Sequence, residues 1–178
     1  GTSLAAAARV EADKVFVFVR HGESINNVLS QRKSIVQFFK EGGAFRDPRL
    51  SGLGESQALD VSTVLFGSQQ RNVDSYHLFD GRGEDTFQAV YVSPMRRTLL
   101  TAMLLFGPAA HKHSIPFKAM PWAHEQRHSI SDVASRTTAL LAYANESAKR
   151  VFGSYKRGTE PLASLMGTLE ALPDAWSE

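Results

Sequence analysis

Hydrophobic positions along the chain switch between short unbroken runs and helical spacing, and a polar stretch marks each change. Val15 to Val19, five apolar residues in a row and all β-branched or aromatic, predict a strand covered on both faces, as in a parallel sheet. From Ile25 to Lys40 apolar residues recur mostly by threes and fours, at Ile25, Val28, Leu29, Ile35, Val36 and Phe39. That spacing predicts a helix with a break near Arg32, stopped by Glu41-Gly42-Gly43. A second helix is predicted after a loop through Asp47 and Pro48, capped by Ser51, with Leu53, Ala58, Leu59 and Leu65 on its buried side. The polar, turn-rich stretch from Asn72 to Thr86 reads as a surface excursion ahead of a second strand, Phe87 to Val92. Next comes a helix with Pro94 near its start and Gly107 at its end, then a third strand, Ile115 to Trp122. Val133 to Glu178 is mainly helix-like, without a clear strand or an internal repeat. Strand, helix and strand in alternation predict an α/β layered fold on a mostly parallel sheet.

Composition narrows the function classes. The 178 residues, 43% hydrophobic and 21% charged, suit about one domain: residues 1–13 as an N-terminal arm or expression remnant, residues 14–178 as the domain itself. A formal charge of +2, with no basic stripe interleaved with aromatic residues, argues against a nucleic-acid groove. The chain has no cysteine, which excludes disulfide frameworks, thiolate zinc sites and cysteine nucleophiles. No window approaches the roughly 18 apolar residues of a membrane span, and the opening stretch lacks the basic leader of a secretory signal, so the expected setting is cytoplasmic, without membrane partners.

In parallel sheets the ligand site lies beyond the carboxyl ends of the strands, where each of the three predicted strands runs directly into reactive side chains. After the first come Arg20, His21, Gly22, Glu23 and Ser24. A neutral imidazole nitrogen can attack phosphorus, a guanidinium fork matches phosphoryl oxygens, and glycine lets backbone pass close to a ligand. Beyond the second strand, Ser93-Pro94-Met95-Arg96-Arg97 sets arginine at the start of a helix, whose dipole attracts anions. Glu125 follows the third strand, and a carboxyl group whose pKa is raised by a nearby phosphate can protonate a leaving oxygen. The arginines already supply positive charge, so no metal site and no cofactor are expected.

Taken together, these segments resemble the histidine phosphatase superfamily, which includes cofactor-dependent phosphoglycerate mutases and many phosphatases. Val19 to Ser24, VRHGES, is similar to its signature; Leu50 to Ala58, LSGLGESQA, resembles L-S-x-x-G-x-x-Q-A; Ser93 to Ala102, SPMRRTLLTA, resembles S-P-L-x-R-A-x-x-T-A. A fixed tetrapeptide arises by chance in roughly one window per 10⁵, so three motifs in order make the resemblance specific over Val15 to Glu125. It implies a three-layer sandwich of the phosphoglycerate mutase type, with helices flanking a mostly parallel central sheet. It implies that His21 becomes phosphohistidine, that Arg20 and Arg97 hold the phosphoryl group, and that Glu125 donates a proton. Arg97 rather than Arg96 matches the motif, four residues after the serine. Gly22, Ser24 and Asn27 would be secondary substrate contacts, and Glu23 would structure the loop. The family's second active-site histidine, on a late strand, has no counterpart here: His77, His111, His113, His124 and His128 stand in other contexts. The expected explanation is that this sequence lacks the last strand and helix of the domain. Phosphatase action on a small phosphorylated substrate is the leading expectation, with a phosphoglycerate mutase or a non-catalytic phosphate-binding protein as the alternatives.

Overall fold

Eleven of the eighteen residues of one helix, Arg96–His113, are buried, among them every residue from Leu99 to Gly107. A helix that is apolar all round must be enclosed on every side, and the rest of the fold does this. The computed structural model describes residues 16–32, 36, 46–66, 87–123, 135–152 and 160–172. In chain order these hold α1 (Ile25–Arg32), α2 (Gly52–Phe66), β1 (Val90–Val92), α3 (Arg96–His113), β2 (Phe117–Ala119), α4 (Thr137–Phe152) and α5 (Glu160–Glu170). The central helix α3 packs against α2, α4, α5 and β1, while α5 covers β2.

The fold class is α/β, with five helices and a two-stranded parallel sheet among the described residues. Its strands pair in register Val90↔Phe117, Tyr91↔Lys118, Val92↔Ala119 and are connected by α3, a βαβ unit as the alternation of patterns predicts. Both strands are shorter than the sequence suggests. Phe87 stands outside β1 and instead joins Phe66 and Phe106 in an edge-to-face aromatic cluster, with ring centroids 5.1 to 6.3 Å apart. β2 gives way to a turn in which the Ala123 amide bonds to the Met120 carbonyl.

Three expectations are corrected. Phe16 to Val19 form no strand and are exposed, Phe18 at 94%. An apolar run becomes a buried strand only where a sheet edge receives it, and this run pairs with neither β1 nor β2. α3 does not stop at Gly107 but continues through Pro108 to His113. Packing of Phe106 and Ala110 into the core outweighs the roughly 3 kcal/mol that an interior proline costs a helix. It ends at Ser114, in the left-handed region at φ 54°, and the Ile115 amide then bonds to the Ala110 carbonyl at 3.0 Å. On α2, Leu53 and Leu59 are exposed; Gly54, Ala58 and Ser62, one turn apart, face inward. Small residues let α2 approach α3 closely, where leucines would hold the helices apart. The helix predicted from Ile25 has its break where expected, α1 ending at Arg32, and Lys40 lies outside the described residues.

The core gathers Leu99, Met103, Phe106 and Phe117 with Leu140, Ala144 and Ala148 of α4 and Leu162, Leu165 and Leu169 of α5. A smaller cluster of Leu50, Ala58, Leu100 and Leu104 joins α2 to α3. No helix among the described residues is long and apolar enough to cross a membrane. Leu140, fully buried, and Leu53, 57% exposed, provide a matched pair. Leu140→Ala should destabilise by about 2–5 kcal/mol and Leu53→Ala by no more than about 0.5 kcal/mol, read from urea unfolding midpoints at constant slope.

Candidate active site

Residues Gly22 to Asn27 are held between two helices. On one side the Gly22 amide donates to the Thr101 hydroxyl at 3.2 Å, placing the loop one turn along α3 from Arg97. On the other side Glu23 is fastened to the start of α2. Its amide donates to Gln57 Oε1 at 2.9 Å, its carbonyl accepts from the Ser51 amide at 2.9 Å, and its carboxylate accepts from the Ser51 hydroxyl at 2.5 Å. The Ser51 hydroxyl in turn accepts the Gly54 amide at 3.1 Å, so Ser51 caps α2 as its sequence position predicts. A carboxylate at a helix N-terminus is also well placed for the helix dipole. Glu23 is therefore the residue that ties the loop to α2. An isolated antiparallel bridge, Ser24↔Leu50, completes the attachment.

The two glycines at this junction are required by space. A Cβ on Gly22 would collide with the Gly54 carbonyl, and a Cβ on Gly54 would collide with the Glu23 carbonyl and with its amide nitrogen at 2.7 Å. Ser24 and Asn27 open α1 with a reciprocal cap, in which the Asn27 side-chain oxygen accepts from the Ser24 amide at 2.9 Å and from its hydroxyl at 2.7 Å. With that oxygen engaged, the Asn27 amide nitrogen, a donor, is the atom suited to an anion.

His21 is half-buried, and its Nδ1 lies 2.6 Å from the Gly22 carbonyl oxygen. A carbonyl can only accept, so Nδ1 carries the proton and, in the neutral ring, Nε2 carries the lone pair. This is the tautomer a nucleophilic Nε2 requires. Arg97 is 4% exposed, and its backbone carbonyl accepts the Thr101 hydroxyl at 2.8 Å, so one side chain links the His21 loop to the Arg97 turn. Arg96 faces elsewhere: its guanidinium lies over the Tyr143 ring at 5.7 Å and its Nε is 3.9 Å from Asp47. Arg20 is exposed. Glu125 lies outside the described residues, as do His77, His124 and His128. His111 and His113 stand in the last turn of α3, about four turns from Arg97 and so roughly 20 Å away by helix rise.

Two residues of this framework have no role in the sequence reading. Thr101, a fixed position of the third motif, is one. The other is Asp47, fully buried at φ 46°, whose carboxylate accepts the Arg96 amide at 2.8 Å and the Ser135 amide at 3.0 Å. It caps α3 from a distance, because Met95 at the N-cap makes no side-chain bond. That unsuited N-cap is the one sequence signal pointing to a cap supplied from elsewhere.

Behind this loop an open groove of about 620 Å³ is lined by Arg49, Glu55, Arg96, Tyr143, Glu146 and Arg150, and by none of the expected site residues. Within it Arg150 pairs with Glu55 at 3.1 Å, and burial pushes the Tyr143 phenol above its ordinary pKa of 10.0. Among the described residues no group of three or more histidine, aspartate and glutamate side chains is placed to hold a metal ion. No family model, curated protein or solved structure matches the chain.

The glycine junction separates two substitutions of one chemistry. Alanine raises helix propensity by up to about 1 kcal/mol over glycine, and Gly52 has open space where a Cβ would stand. Gly52→Ala should leave the melting temperature unchanged or raised, whereas Gly54→Ala should lower it, because the clash is with backbone that cannot rotate away.

Proposed function

We propose that the chain is a phosphatase that hydrolyses a small phosphomonoester through a phosphohistidine on His21. The observation that carries this reading is the Nδ1–H bond from His21 to the Gly22 carbonyl, which leaves the lone pair on Nε2. In the first step Nε2 attacks phosphorus and the bond to the leaving oxygen breaks, with Glu125 supplying the proton that oxygen takes up. Nδ1–H stays on the Gly22 carbonyl throughout and spreads the positive charge that the ring acquires. In the second step water attacks phosphorus, the nitrogen–phosphorus bond breaks, Glu125 accepts the water's proton, and inorganic phosphate leaves.

Arg97 and Arg20 offset the charge on the transferring group, and the Asn27 amide, Ser24 and the Gly22 backbone border it. Arg97 is favoured over Arg96 by structure as well as spacing, since Arg96 is directed to Asp47 and Tyr143. The three-layer sandwich of the phosphoglycerate mutase type is the architecture this site would occupy, and the parallel β1–α3–β2 unit is consistent with it.

A purified chain should release phosphate from 4-nitrophenyl phosphate and, quenched in base, should yield a phosphorylated peptide containing His21. His21→Ala should abolish both with the circular dichroism spectrum unchanged, and turnover by the folded variant would overturn the assignment. Arg97→Lys, which keeps charge but loses the planar fork, should cost on the order of 10²-fold in kcat/KM. Arg96→Lys should cost far less, and equal losses would mean that the wrong arginine has been chosen.

A further inference from the structure

Two threonine hydroxyls among the described residues act as clasps, each donating to a carbonyl of its own helix while accepting a backbone amide from another element. Thr168 in α5 donates to the Leu165 carbonyl at 2.9 Å and accepts the Ala119 amide of β2 at 2.8 Å. Thr101 in α3 donates to the Arg97 carbonyl at 2.8 Å and accepts the Gly22 amide at 3.2 Å. Thr63, by comparison, bonds back to Leu59 within α2, an ordinary local contact. The two clasps share a chemistry and differ in what they hold: Thr168 a strand edge, Thr101 the residue beside His21.

Both polar groups of the Gly22 residue are thereby committed. Its amide goes to Thr101, and its carbonyl takes the Nδ1 proton of His21. A hydroxyl has a single proton, so donation to the Arg97 carbonyl aims the Thr101 lone pairs and fixes where the Gly22 amide can sit. Contact with Gly54 blocks movement of the loop toward α2. If the Thr101 clasp is lost, the His21–Gly22 peptide can rotate, and the His21 ring swings off the Gly22 carbonyl, which stays in the peptide plane held by the bond from the Glu23 amide to Gln57.

We infer that Thr101 is a positioning residue that sets the tautomer and orientation of the His21 ring through Gly22 and holds that ring in register with Arg97. The inference rests on the reading of His21 as nucleophile for its effect on rate, but its effect on the ring is independent of any activity. The test compares the full chain with Thr101→Val, which keeps shape and removes the hydroxyl, with Thr101→Ser, which restores it, and with Thr168→Val, which breaks the other clasp. Two quantities are read: the ¹⁵N shifts of the His21 ring, and kcat and KM for 4-nitrophenyl phosphate, whose leaving group needs no proton.

Thr101→Val should draw the two ring-nitrogen shifts toward their tautomer average and lower kcat roughly 10- to 100-fold, with KM within about twofold of the unaltered chain. Thr101→Ser should restore both. Thr168→Val should lower the melting temperature while leaving the His21 shifts in place. If Thr101→Val does not fold, Thr101→Cys, whose thiol bonds only weakly, is read instead. Unaltered His21 shifts in the folded Thr101 variant overturn the inference, as does an equal kcat loss in Thr168→Val at a matched melting temperature. A parent chain without turnover refutes the phosphatase reading alone, and the ring shifts then decide the role of Thr101.

Discussion

Enclosure of α3 is the constraint on which the other elements depend. From Leu99 to Gly107 the helix has no face for water, so each neighbour must supply an apolar surface shaped to it. Small residues on α2, the Leu140, Ala144 and Ala148 row of α4, the leucines of α5 and the inward valines of β1 are four answers to that one demand. The same burial lets a proline remain inside the helix, because packing on both sides of Pro108 compensates for the missing backbone bond.

The loop that carries the candidate site borrows this rigidity. Neither Arg20 nor His21 lies within a helix or strand, and a loop alone would not hold a ring in one tautomer. Fixation comes from the adjoining residues: Gly22 on α3, Glu23 on α2, and Ser24 capping α1 with Asn27. Three consecutive residues thus anchor to three helices, and each anchor includes a backbone group. The residues named by the motif are a mixture in consequence, with Glu23, Ser51 and Gly54 building the frame in which His21 stands.

Where the sequence signal is local, the reading agrees with the structure. Ser51 as a cap, the start of α3 just after Pro94, the centres of β1 and β2 and the helical character beyond Thr137 all depend on a few neighbouring residues. Where the outcome depends on what lies opposite, local pattern is silent. Leu53 and Leu59 look like core positions until the Glu23 loop and α3 arrive and leave Gly54, Ala58 and Ser62 as the buried positions. VFVFV carries strand propensity, but no propensity supplies a partner for it. Asp47 and Thr101 bond to residues far off in the chain and leave no period to detect. The three motifs name the candidate residues together with several that frame them, Glu23, Ser51, Gly54 and Thr101, while Asp47 lies in none of the three.

The distance along the chain between those partners has a consequence for the order of assembly. Gly22 and Thr101 are 79 residues apart, and Asp47 and Ser135 are 88 apart. Closing segments of that length costs entropy before any bond repays it, and such contacts form late, after helices and the adjacent β1–α3–β2 unit have a surface to offer. They are also among the first to open when the fold is stressed, since a few hydrogen bonds hold them rather than a wide apolar contact. A mild denaturant or a single cut in a distant segment would therefore dismantle the His21 loop while the helical signal stayed intact.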